Sequence, residues 1–173
     1  AITVTPGKTQ RFTLCLRLPG WCVRPVVRIN GRRQPLAPLA RAGYAWLERE
    51  WRAGDRVELD LPMPVERVES HPSVRQTTGQ VALRRGPVIY CLEECDNGAD
   101  LADLALPRRA PLRAERSPML GGCVVLKGRA ERRSRAGWES RLYSTTRSTR
   151  EAVAFQAVPY CLWDNRKPGE MRV

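Results

Sequence analysis

Fourteen prolines and thirteen glycines cut this chain into short apolar runs, which leaves little room for long helices. No stretch of ten or more residues keeps a 3.6-residue apolar period. The runs read instead as strands. Residues 11–18 (RFTLCLRL) alternate strictly. Phe12, Leu14, Leu16 and Leu18 face one way, and Arg11, Thr13, Cys15 and Arg17 the other, as in a half-buried strand. Pro19-Gly20 ends that run. Residues 23–30 (VRPVVRIN) follow, and Asn30-Gly31 is the strongest hairpin signal in the chain.

Further strands are expected at 44–48 (YAWLE), 56–61 (RVELDL), 121–126 (GGCVVL) and 152–158 (AVAFQAV). The run 65–70 (VERVES) suits a sheet edge, and the nearly all-apolar 88–92 (VIYCL) a central strand. Residues 100–106 (DLADLAL) read as a helical turn or a loop, and 131–137 (ERRSRAG) as a loop tip. Residues 160–163 (YCLW) and 171–173 read as a closing pair. Strands at intervals of roughly ten residues predict an all-β fold, an antiparallel, jelly-roll-like sandwich with room for two small lobes. The expected division is a first lobe over 1–95, a more irregular second lobe over 96–157, and closing strands over 158–173 that return to the first. No apolar-leader pattern precedes the first run, which favours a cytoplasmic setting, although both ends read as cut from something longer. No run approaches the ~20 apolar residues of a membrane span.

The formal net charge of +12 raises a polyanion partner as a reading. All but Lys8, Lys127 and Lys167 of the 30 basic residues are arginine, and they are spread along the chain rather than gathered in a stripe, which argues against nucleic acid. The six cysteines read as reduced, mostly buried thiols. On a strand, Cys91 and Cys95 stand about 13 Å apart, too far for one zinc or a direct disulfide. His71 is the only histidine, in Ser70-His71-Pro72, so a metal cluster or a nucleophile–base pair lacks its usual parts. The acidic cluster Glu93, Glu94, Asp96, Asp100 and Asp103 could supply the carboxylate pair of a glycosidase, but reads more simply as a solvated loop. Among the tryptophans, Trp46 and Trp163 read as core. Trp138, in a charged loop, is the candidate for stacking on a glycan.

Several segments, in order, resemble the β-L-arabinofuranosidases of glycoside hydrolase family 127. They are residues 12–22 (FTLCLRLPGWC), 27–31 (VRING), 51–61 (WRAGDRVELDL) with Met63-Pro64-Val65, and 81–93 (VALRRGPVIYCLE) with Asp96-Asn97. The closing set is Pro159-Tyr160, Trp163, Asn165-Arg166 and Gly169-Glu170-Met171. The resemblance implies an N-terminal α/α barrel followed by β-sandwich domains, with this chain as the sandwich part. It implies retaining hydrolysis of β-L-arabinofuranosides by the parent. The cysteine nucleophile, zinc and glutamate acid/base would then belong to the barrel, so no catalytic residue, metal ligand or cofactor is carried onto this chain. The expected partner is that barrel, in the same polypeptide. The residues placed at the contact are Arg85, Tyr90, Glu93, Asn97, Asn165 and Arg166, with Arg85 bridging to a barrel carboxylate. A second copy, a glycan bound by an autonomous module, and nucleic acid bound by a basic β domain are the competing partners.

Overall fold

A computed structural model describes all 173 residues, and the chain is all-β with every strand pairing antiparallel. It forms two compact units, Ala1–Pro64 and Val65–Val173. The first holds β1 (Ile2–Val4), β2 (Gln10–Arg17), β3 (Val26–Ile29), β4 (Arg32–Arg33), β5 (Ala40–Arg41), β6 (Tyr44–Trp51) and β7 (Asp55–Asp60). These make two sheets, β1-β7-β3-β4 and β2-β6-β5. The alternation read from residues 11–18 drives the stacking. Leu16 of β2 and Ala45, Leu47 and Trp51 of β6 meet Val4, Val27, Ile29 and Val57 of the other sheet in one core. Asn30 and Gly31 both take positive φ (50° and 77°), as a two-residue hairpin between β3 and β4 requires. Asn30 also binds the neighbouring turn: its Nδ2 donates to Asp55 (2.7 Å) and its Oδ1 accepts from the Arg56 amide (2.8 Å).

The second unit holds β8 (Val65–Val68), β9 (Ala82–Arg85), β10 (Val88–Glu93), one helical turn α1 (Glu94–Asn97), β11 (Leu104–Ala105), β12 (Leu112–Ser117), β13 (Cys123–Arg133), β14 (Arg150–Pro159) and β15 (Met171–Arg172). Its sheet runs β11-β13-β14-β10-β9-β8, with β12 added to β13 and β15 to β10. The guanidinium of Arg67 on β8 donates to the carbonyl of Ala110, just ahead of β12, so the two edges of the sheet curl toward each other as a half-barrel. One face of that sheet carries Leu83, Tyr90, Leu126, Phe155 and Ala157. The other carries a smaller core of Cys91, Val125 and Val158. Gly86 at the first central position of the β9–β10 turn has φ 59°, where a side chain would be strained, and Pro87 fixes the next φ.

Several expectations change. The division falls at Pro64, where Pro62 and Pro64 interrupt the strand ladder, and not near residue 95. The acidic turn after β10 is no linker, because Asn97 and Glu94 tie it to β14 and to the Gly169–Glu170 segment. The last strand does return to the 1–95 stretch, pairing with β10, which the division at Pro64 places in the second unit. Residues 160–162 form a 3-10 turn rather than a strand, and β13 extends into the first three residues of the expected loop tip, to Arg133, before the loop begins. Trp46 lies on the outer face of β6, half-buried under the Arg41 guanidinium, since the odd-numbered residues of that strand face the core. Trp163 is 40% exposed. All six cysteines are free, but only Cys22 and Cys91 are buried.

Candidate functional site

The end of β10 carries the densest polar cluster of the chain. Period-2 alternation places Tyr90 on one face of the sheet and Glu93, with Cys91, on the other. Glu93 is buried, and its Oε1 accepts from the Asp164 amide (3.3 Å) while Oε2 accepts from the Arg166 guanidinium. The same guanidinium grips Asp96 through both carboxylate oxygens (2.9 and 2.6 Å). Such planar two-point pairing is the geometry that favours arginine over lysine. Burial works against the charge of Asp96, but Arg166 and the Gln156 side chain outweigh it and hold its pKa below the ordinary carboxylate range. The Asp96 and Glu93 hydrogen bonds in turn push the Arg166 pKa further up.

Asn97 does the work of a strand residue. Its Oδ1 accepts from the Gln156 amide and its Nδ2 donates to the Gln156 carbonyl, both at 2.9 Å, while Nδ2 also reaches the Glu93 carbonyl. Backbone pairing between β10 and β14 stops at Leu92–Ala157, and the carboxamide continues the ladder one step further. On the far side, the Glu94 amide donates to the Glu170 carbonyl, Glu94 Oε2 accepts from the Glu170 amide, and Glu170 Oε2 accepts from the Leu101 amide. A Cβ on Gly169 would stand 3.0 Å from the Glu94 side chain, so a larger residue there would push Glu94 aside.

The structure therefore brings together Glu93, Asn97 and Arg166 from the expected contact set. Arg85 and Tyr90 stand elsewhere. Tyr90 is buried on the opposite face, where burial pushes its phenol pKa up and the neighbouring Arg85 opposes the shift. The Arg85 Nε is buried without a partner. Asn165 is exposed and folds its amide back on the carbonyls of Leu162 and Trp163. Trp138 is half-buried in the loop after β13, where it lines an open cleft with Leu142 and Arg135. The exposed aromatic pair is Tyr160 and Trp163, stacked at 6.0 Å with their planes 14° apart.

The acidic run is solvated only in part, with Asp100 exposed and Glu93 buried. Glu93 and Asp96 belong to Arg166, and Asp100 and Asp103 to Arg135 at 2.7 Å. Asp96 was missed as a partner of Arg166 because 70 residues separate them. As a carboxylate pair, Glu93 and Asp96 are poorly suited to glycoside hydrolysis, since a general acid needs a raised pKa and that of Asp96 is lowered. Nor do these residues suit zinc. The ligand atoms of Glu93, Cys95 and Asp96 lie within 4.8 Å of one another, but Arg166 already occupies both carboxylates, and partial desolvation keeps the Cys95 thiol above its ordinary range.

The chain is thus all-β, in two units, with its densest polar cluster an ionic network at the end of β10. Its sequence places it in a family. The model of the "Beta-L-arabinofuranosidase, GH127 middle domain" matches residues 1–63, and that of the "Glycoside hydrolase family 127 C-terminal domain" matches residues 65–173. The chain belongs to glycoside hydrolase family 127. It is 35% identical over 168 residues to the non-reducing end beta-L-arabinofuranosidase of Bifidobacterium longum subsp. longum, covering 91% of this chain and 25% of that protein. The crystal structure of a GH127 beta-L-arabinofuranosidase from Geobacillus stearothermophilus T6 superimposes with a TM-score of 0.94 at 49% identity, over 99% of this chain and 27% of that one. A second solved structure, a glycoside hydrolase, gives 0.84 at 35% identity over 99% and 28%. The chain thus spans about a quarter of the length of these relatives.

Proposed function

We propose that this chain is the non-catalytic accessory part of a β-L-arabinofuranoside hydrolase, supporting and docking a catalytic α/α barrel in the same polypeptide. The observation that carries the reading is the tiling of the chain. Its two units coincide with a middle and a C-terminal domain, and relatives named as arabinofuranosidases are about four times longer. The fate of Glu93 and Asp96 agrees, because carboxylates clamped by one arginine are committed to holding strands together. On this reading zinc and the nucleophile reside in the barrel. The test compares the whole polypeptide with one lacking these 173 residues, using p-nitrophenyl β-L-arabinofuranoside. The shortened protein should lose thermal stability and most of its kcat, and the chain alone should release no nitrophenol. Turnover by the chain alone, or full activity and an unchanged Tm in the shortened protein, overturns the proposal.

A second reading, glycan binding by this chain itself, rests on the exposed Tyr160–Trp163 pair, whose outer faces are free to stack. It predicts that an arabinose-rich polymer retards the chain in native gels and that Trp163→Ala abolishes the retardation. Equal mobility with and without polymer sinks it.

A further inference from the structure

A cleft of about 320 Å³ opens on one face of the curled sheet, bordered by the 101–106 segment whose β11 is an edge strand of that sheet. Its floor is apolar, built by Leu83, Leu92, Leu104, Ala130 and Phe155, whereas its lining also carries Arg133, Arg150 and Arg172. Register accounts for part of this mixture. Arg172 pairs with Leu92 and so shares its face, whereas Arg133 and Arg150, directly opposite each other at the ladder's end, belong by parity to the other face and meet the cleft only at its rim. Some of the charge is already matched: Arg150 pairs with Glu131 at 3.1 Å, and Asp103, the acid in the lining, with Arg135 at 2.7 Å. Arg133 and Arg172 have no acidic partner within ion-pair distance.

We propose that this cleft binds a small amphiphile with one anionic head, an alkyl or aryl carboxylate, with its apolar body on Phe155 and Leu104 and its carboxylate at the arginine rim. The cleft has the size of a small-molecule site and combines an apolar floor with charged groups at its rim. Guanidinium–carboxylate bonds are charge-assisted and roughly twice as strong as neutral ones. The apolar floor favours a ligand with an apolar body over a bare sugar, whose hydroxyls would find no partner there. The inference is thus independent of any role in arabinoside chemistry.

Calorimetry on the chain with decanoate, decanol and acetate tests it. Decanoate binds, decanol binds about tenfold more weakly for lack of the charged contact, and acetate gives no saturable heat. Arg172→Glu removes the preference for decanoate over decanol. Leu104→Trp, which fills the cleft, abolishes binding of both while the circular dichroism spectrum is retained, and Arg172→Gln serves as a milder second rim variant. Acetate binding as tightly as decanoate, decanoate affinity unchanged in both Leu104→Trp and Arg172→Glu, or no decanoate binding below its micellar concentration overturns the proposal.

Discussion

Arg166 stands between two carboxylates that have little water to fall back on, since Glu93 and Asp96 keep only 6% and 13% of their side-chain surface. Removing the cation strands both charges. Arg166→Met should therefore cost about 3–5 kcal/mol in urea unfolding, the range for breaking a buried pair from one side. Adding Glu93→Gln and Asp96→Asn to that variant should recover much of the loss, and no recovery would mean that the arginine acts through packing alone. The pH dependence follows from the lowered pKa of Asp96. A carboxyl with a folded pKa below its unfolded value near 3.9 stabilises above that value and loses the contribution as pH falls through the folded pKa. Stability should fall on acidification below about pH 4, less steeply in Asp96→Asn, as read from Tm against pH. Thiols offer an independent check: burial pushes Cys91 up to about 11. At pH 8 the exposed Cys15 and Cys161 should react with Ellman's reagent well before Cys22 and Cys91, which become reactive on unfolding. None of this was legible locally. Glu93, Asp96 and Arg166 look like ordinary surface charges, and their pairing spans 70 residues or more. Only the ordered resemblance to a family drew Glu93 and Arg166 into one candidate set.

At the level of elements, legibility tracked periodicity. The strict alternation of residues 11–18 and the Asn30-Gly31 turn appear in the structure because each is decided by neighbours one or two residues away. What failed were elements decided from across the fold. Residues 160–163 carry strand-like side chains, but β10 takes β15 as its neighbour there, and the aromatic run turns outward. Trp46 sits in a strand as expected, yet the face it occupies depends on which parity the opposite sheet covers. The Asn97 carboxamide is the least visible element of all, a side chain acting as one more rung between β10 and β14. Asn97→Ala should lose about 1–3 kcal/mol by leaving the Gln156 amide and carbonyl without partners, measured by urea titration. Asn97→Asp should cost at least as much, because it turns a donor into a charge facing two carbonyl oxygens. Packing between β13 and β14 is as exacting: a Cβ on Gly128 would lie 2.8 Å from the Phe155 ring and 3.0 Å from the Pro111 carbonyl. Gly128→Ala should be destabilising by about 1–3 kcal/mol despite alanine's small size.

For the whole molecule, the decisive question is where the chain divides, because that determines which pieces keep a core. A break near residue 95 looked plausible from the acidic stretch alone. The ladders argue otherwise. Tyr90, Cys91 and Leu92 pair with β14, and Leu92 and Glu93 pair with β15, so a cut at 95 removes the central strand from two of its neighbours. It also separates Glu93 from Arg166 and Cys91 from Val125 and Val158. A cut at Pro64 severs no strand pairing, since every ladder lies wholly on one side of it. A piece comprising residues 65–173 should thus unfold cooperatively in urea with a dispersed amide spectrum. A piece comprising 96–173 should remain unfolded, its β13–β14 hairpin lacking the strand that covers one edge. Residues 1–64 enclose their own core around Trp51, but a unit of that size is marginal and should show the lower midpoint of the two. Cooperative folding of 96–173 would move the boundary back to the acidic turn, and with it the claim that Glu93, Asn97 and Arg166 exist to close one unit.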